Sequence, residues 1–169
     1  MKIEPIDPAD PAARALIDQL DAYQRLLYPP QSNHLDSIEA LRLGNVLFVG
    51  AFAGPSLVGC GAVKTLHDDG VYGEIKRVFV REDHRGRGVS KAIMRYLERH
   101  LVDHGVRVAR LETGIRQPEA IGLYERMGYV RCAPFGQYGA DPLSVFMEKR
   151  LENMSKALPH ADDNSVSVG

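Results

Sequence analysis

The sequence predicts an α/β (α+β) domain built on a mixed, mostly antiparallel central sheet. Three observations carry that prediction. Strand-like and helix-like runs follow one another as strand, two helices, three strands, helix, strand, helix, two strands. The three consecutive strands are joined by short turns, which makes them antiparallel neighbours. Only the strand–helix–strand stretch over 73–113 calls for a local parallel pair.

Each element has its own local signal. Lys2–Ile6 reads as a short first strand. Asp10 before Pro11 marks a helix start, with a capping side chain and a proline at the first helical position. Ala13, Leu16, Ile17, Leu20, Tyr23 and Leu27 then recur at helical spacing until Pro29–Pro30. A shorter helix is expected over Asp36–Leu43, stopped by Gly44. Val46–Ala53 and Ser56–Leu66 are strands around the turn Gly54–Pro55, and Gly73–Val80 is a third. The next helix, Gly88–His104, carries Val89, Ile93, Leu97 and Leu101 on one face. Val106–Thr113 is a strand, Pro118–Met127 a helix closed by Gly128, and Tyr129–Cys132 and Ser144–Lys149 are the last strands.

With 44% hydrophobic and 25% charged residues, 169 residues suit one compact domain able to bury its own core. Residues 1–151 read as that domain and 152–169, polar and aperiodic, as a disordered tail. Charge is balanced, 21 Lys and Arg against 22 Asp and Glu, so neither nucleic acid nor membrane is an expected partner. Cys60 and Cys132 have no companion at ligand spacing, so no metal site is expected, and two reduced thiols are the simpler reading beside a disulfide. The polar, proline-broken start MKIEPIDPAD is unlike a signal peptide, and no apolar run reaches bilayer length. The expected address is cytoplasmic.

Arg85-Gly86-Arg87-Gly88-Val89-Ser90 sets a glycine-rich turn between a strand end and a helix start. Helix-start amides lack intrahelical partners, the macrodipole adds roughly half a positive charge, and the arginines add more. This is a cradle for a diphosphate, unless it is only a basic surface turn. The glycines do not follow the dinucleotide-binding pattern, and no Gly-Lys-Ser/Thr ending completes a P-loop. An RNA-binding Arg-Gly tract would be longer.

A second segment, Gln117-Pro118-Glu119-Ala120-Ile121-Gly122-Leu123-Tyr124-Glu125-Arg126-Met127-Gly128-Tyr129, follows the next strand. Together with Val78-x-Val80 and the Arg85-Gly86-x-Gly88 turn, it resembles the GNAT superfamily of acyl-CoA N-acyltransferases over roughly residues 2–151. The strings GCGAVK, GEIKRVFV, LETG and PFGQYGADPLSVFMEK are similar to a bacterial subgroup, some of it named for indole-3-acetic-acid-related N-acetylation. The resemblance implies a GNAT fold with helices on both sheet faces, acetyl-CoA as co-substrate, an amine acceptor of small size and a possible homodimer.

It also implies residue roles. Val78, Phe79 and Val80 would pair their backbone with the pantetheine arm. Arg85, Gly86, Arg87, Gly88, Val89 and Ser90 would hold the pyrophosphate, although the family favours Gly or Ala at the Ser90 position. Gln117 stands where an Asn often contacts the cofactor. Tyr124 matches the tyrosine beside the CoA sulfur, as hydrogen-bond donor or acid, and an amide at or near Val80 would polarise the thioester carbonyl. Glu74 is the expected base, with Glu112 the other candidate; Arg77, Glu112 and Tyr138 are expected at the acceptor. The Pro29–His34 and Phe135–Asp141 loops would wall that site, and its mix of charges would suit a zwitterion or a carboxylate-bearing amine. The alternatives are a protein or peptide acetyltransferase, which needs an open groove between the first helices and the last hairpin, and a non-catalytic acyl-CoA sensor.

Overall fold

In the computed structural model, which describes residues 1–151, the chain forms one seven-stranded sheet. The expected tail lies outside the described residues. The elements are β1 (Lys2–Pro5), α1 (Pro11–Leu27), α2 (Ile38–Leu41), β2 (Val46–Ala53), β3 (Ser56–Leu66) and β4 (Tyr72–Val80), then α3 (Val89–Asp103), β5 (Val108–Gly114), α4 (Pro118–Arg126), β6 (Val130–Arg131) and β7 (Ser144–Arg150). The order across the sheet is β1-β2-β3-β4-β5-β7-β6, and β4 with β5 is its one parallel pair. Helices cover both faces, as the resemblance implied. None of the described helices is long and apolar enough to cross a membrane.

Side-chain alternation along the strands builds two cores. Val49 and Val63 face α3 and α4, with Ile93, Leu97, Leu101 and Ile121. Their neighbours Phe48 and Ala62 face α1 and α2, with Leu16, Ile17 and Leu41. A buried Glu98 on α3 accepts from Tyr129 Oη at 3.0 Å and from Lys149 Nζ at 2.9 Å. That pairing compensates a charge which would otherwise be costly to bury, and it ties α3, β7 and the end of α4 together.

Three local expectations are corrected. Asp10 starts α1 but makes no side-chain cap; Asp7 instead accepts from the amide of Ala9. The second helix is a single turn capped by Ser37 and ends at Leu41, before Gly44 is reached. Val106 belongs to the end of α3, because its amide bonds the carbonyl of Leu101 while the Gly105 amide bonds Val102, a Schellman closure.

The feature that makes a site is an irregularity in β4. Lys76 pairs with Ala62 and Phe79 with Cys60, so Arg77 and Val78 together face Gly61. This is a β-bulge, with Arg77 in the left-handed region at φ 59°. A non-glycine residue there costs roughly 1–2 kcal/mol. Contacts hold it in place: Cys60 Sγ donates to the Arg77 carbonyl, and the Arg77 side chain reaches Asp21 and the carbonyl of Asp36. The β4–β5 ladder runs from Gly73 with Ala109 to Ile75 with Leu111 and stops there. Beyond it the strands part, and among the described residues the β5-side edge of Lys76–Val80 has no strand partner.

Candidate active site

Two cavities occupy the gap between β4 and β5. The larger, about 780 Å³, runs along Val78–Val80 to the turn before α3. Gly86 and Gly88 have φ of 75° and 77°, with nothing within 4 Å of an added Cβ at either. The backbone conformation, not crowding, demands glycine at both. That curl brings Gly88, Val89, Ser90 and Lys91 to the cleft wall, where the first amides of α3 are unpaired by the helix itself. Arg85 folds back so that Nε donates to the Val80 carbonyl at 3.0 Å, with its guanidinium 5.5 Å from the Phe79 ring. Its positive charge is thereby fixed at the mouth of the α3 start, the kind of helix end that suits an anion. Arg87 is exposed and does not contribute to the cleft wall.

The smaller cavity, about 120 Å³, lies on the other side of Tyr124. Val78, Gln117 and Tyr124 line both spaces, so the cavities meet at that point. Glu74, Arg77, Glu112 and Tyr138 all border the smaller one. His34, exposed, sits at its rim with its ring edge-on to Tyr138 at 5.0 Å. Ser32 Oγ donates to Asp141 Oδ2 at 2.7 Å, closing the two flanking loops over the chamber.

The two acids differ in their surroundings. Glu74 is 4% exposed, accepts a hydrogen bond from Tyr138 Oη, and lies 3.5 Å from Lys76 Nζ. Glu112 has one protein donor here, Ser144 Oγ at 3.4 Å. Burial, reinforced by the nearby charges of Glu74 and Asp141, pushes its carboxyl up from an ordinary 4.5 to about 7, against the lowering pull of Ser144 and Lys76. Burial, with a smaller push from Glu112, raises the Tyr124 phenol to about 12, so it keeps its proton at neutral pH. Tyr124 is placed from beneath: its ring meets Tyr129 edge-on at 6.0 Å, its carbonyl accepts from the Tyr129 amide, and Tyr129 is held by Glu98.

Sequence reasoning missed the roof. Tyr28, at the end of α1, is buried and lies flat on Gly114 of β5. A Cβ on Gly114 would stand 1.8 Å from the Tyr28 hydroxyl. That hydroxyl accepts from the Arg116 amide at 3.1 Å and donates to Gln117 Oε1 at 3.2 Å. The side-chain oxygen of Gln117 is therefore engaged by α1, and Gln24 Nε2 reaches it as well at 3.4 Å. No local pattern links a tyrosine before two prolines to a glycine 86 positions later.

The comparisons with known proteins agree with this geometry. The acetyltransferase (GNAT) family matches residues 13–129. An IAA acetyltransferase of Azospirillum brasilense is 40% identical over 144 residues, covering 85% of this chain and 94% of that protein. The uncharacterized N-acetyltransferase YsnE of Bacillus subtilis is 39% identical over 75% of this chain and 83% of its own length. Among solved structures, a Klebsiella pneumoniae protein classed as an acyl-CoA N-acyltransferase aligns at 37% identity with a TM-score of 0.74, over 89% of this chain and 97% of that one. With the family match spanning more than half of the sequence and these relatives covered nearly end to end, the chain belongs to the GNAT family of acetyltransferases.

Proposed function

We propose that the protein transfers the acetyl group of acetyl-CoA to the amine of a small molecule by direct attack on the thioester. The observation that carries this reading is the meeting of two cavities at Tyr124 in the gap opened by the β4 bulge. The long cleft has what a CoA needs. An unpaired strand edge suits the amides of the pantetheine arm. Helix-start amides, the two left-handed glycines and Arg85 suit the pyrophosphate. An amide at or near Val80 is the donor for the thioester carbonyl oxygen.

An amine of pKa ~10.4 is neutral in only about one molecule in 2,500 at pH 7, at a cost near 4.6 kcal/mol. A carboxylate with pKa ~4.3 is uphill of that amine by about 8 kcal/mol, whereas one at about 7 is uphill by about 5. We therefore assign proton removal to Glu112. Glu74, the base expected from the resemblance, already accepts from Tyr138 and neighbours Lys76, and its role becomes orienting the acceptor side of the chamber. Tyr124 supplies a hydrogen bond to the departing thiolate. Full proton transfer from a phenol near 12 to a thiolate of pKa ~8.5 would be uphill by about 5 kcal/mol.

Peptide acetylation would need an open groove between the first helices and the last hairpin, and the Ser32–Asp141 hydrogen bond across that gap favours the small-molecule reading. A cytoplasmic location belongs to the same reading, since Cys60 and Cys132 are free thiols of the kind a reducing compartment maintains. Thermal unfolding with acetyl-CoA, NAD and ATP tests the function. Acetyl-CoA at a hundred times its Kd should stabilise by about 2.7 kcal/mol, a rise of roughly 5–11 °C for a domain this size. A response to NAD or ATP with none to acetyl-CoA would sink the reading.

A further inference from the structure

The chamber that would receive the acceptor has an unbalanced set of charges. Lys76 Nζ lies 3.1 Å from Asp36 Oδ1 and 3.5 Å from Glu74 Oε2, and it donates to Tyr138 Oη at 3.2 Å. Arg77 gives one terminal nitrogen to the Asp21 carboxylate and the other to the Asp36 carbonyl at 2.6 Å. Glu112 adds a further acid on the opposite wall. Glu74 and Glu112 line the chamber beside Lys76 and Arg77, and with Asp21 and Asp36, which do not line it but pair with those cations, four carboxyl groups stand against two cations that are already engaged by acids of the protein.

Among the described residues three buried side-chain polar atoms have no hydrogen-bond partner, and two of them belong to this cluster: Nε of Arg77 and Oδ2 of Asp36. Guanidinium recognises a carboxylate best through a fork of two parallel N–H groups. Both terminal nitrogens of Arg77 are engaged by the protein, and the one nitrogen without a partner, Nε, offers a lone N–H that suits one neutral oxygen rather than the two of a carboxylate. An incoming carboxylate would have to displace Asp36 or Asp21 from a buried pair, leaving that acid uncompensated. An incoming ammonium meets the opposite situation, with surplus carboxylate on both walls. The cavity volume, about 120 Å³, is also well below the ~300–1,000 Å³ of sites for drug-sized ligands.

Resting on the acetyltransferase reading above, we propose that the acceptor is a compact amine that carries no carboxylate, with room for one neutral hydroxyl or amide oxygen at Arg77. This replaces the zwitterion that the residue types alone had suggested. The discrimination comes from repulsion as much as attraction, since the protein's own acids occupy both positions a substrate carboxylate would need.

The test is CoA release from acetyl-CoA by the full chain with matched amines: β-alaninamide against β-alanine, and tyramine against tyrosine, with indole-3-acetate as a separate arm. In each pair the carboxylate-free member should have the higher kcat/KM, by at least about tenfold. β-Alaninamide should exceed tyramine because of its size. Equal or better use of β-alanine or tyrosine, or preference for indole-3-acetate, overturns the proposal. So does failure of both carboxylate-free amines while calorimetry shows acetyl-CoA bound. Failure to bind acetyl-CoA at all would instead remove the acetyltransferase reading on which the proposal rests. Asp36→Asn releases Lys76 from its nearer acid and should narrow the β-alaninamide preference at least about threefold; an unchanged ratio refutes the charge-balance origin.

Discussion

Glu112→Gln should lower kcat/KM and also change the shape of its pH dependence. The acid's carboxyl titrates near 7 because it is buried among other acids. As the base it must be ionised, which holds for about 9% of molecules at pH 6 and about 91% at pH 8, a tenfold rise. With an ammonium acceptor of pKa ~10, activity should climb through pH 7 and level off above it. The glutamine variant must wait for neutral amine, so its rate should rise tenfold per pH unit with no inflection near 7. Loss of a general base typically costs about 10²–10⁴-fold, with the gap closing at high pH.

The same substitution has an opposite effect on stability. Glu112 has a folded pKa above its unfolded value, so the folded chain binds this proton more tightly. That contribution is complete below about pH 4.5 and disappears as pH rises through 7. At pH 8, the buried ionised form costs up to about 3 kcal/mol, falling to under about 1 kcal/mol at pH 5. Glu112→Gln should therefore raise Tm at pH 8 by several degrees, up to roughly 6–12 °C, and much less at pH 5. Stopped-time CoA-release assays from pH 5.5 to 9.5 and calorimetric melts at both pH values would decide. An inflection near 7 that persists in the variant, without a gain in Tm, refutes Glu112 as the titrating base.

Two further substitutions test the rest of the site. Tyr124→Phe removes a hydrogen bond to a charged leaving group, worth about 1.5–3 kcal/mol, so kcat should fall about ten- to hundredfold with little change in acetyl-CoA binding. An unchanged kcat would reduce Tyr124 to packing. Gly114→Ala drives a methyl into Tyr28, and overpacking of this kind costs about 1–3 kcal/mol. It should raise the acceptor KM while acetyl-CoA binding persists; loss of the latter alone would place Tyr28 on the wrong side of Tyr124.

What was legible in the sequence was local. β2 and β3 are read to the residue because alternation along each strand and the Gly54–Pro55 turn are short-range signals. The single parallel pair follows from one strand–helix–strand unit, and the left-handed glycines Gly86 and Gly88 from a glycine-rich turn at a helix start. The relation between that turn and Tyr124 is what the family resemblance implied, and the two cavities meet at Tyr124.

What only the tertiary structure decided lies between elements distant in the chain. Nothing near Arg77 marks a left-handed bulge residue; Asp21, Asp36 and Cys60 hold it there from three other segments. Tyr28 and Gly114 meet because α1 crosses the end of β5. From the sequence, Glu74 ranks first as the base and Glu112 second, two carboxylates on neighbouring strands. Folding gives one of them Tyr138 and Lys76, and leaves the other desolvated with a weak partner. Periodicity and turn chemistry act over a few residues and can be read from letters. Burial, charge balance and the pKa values they set are sums over three-dimensional neighbours, so the Arg85–Ser90 turn can be read locally as a candidate diphosphate cradle, while the candidate acceptor chamber forms only when α1, β4, β5 and the β6–β7 loop come together.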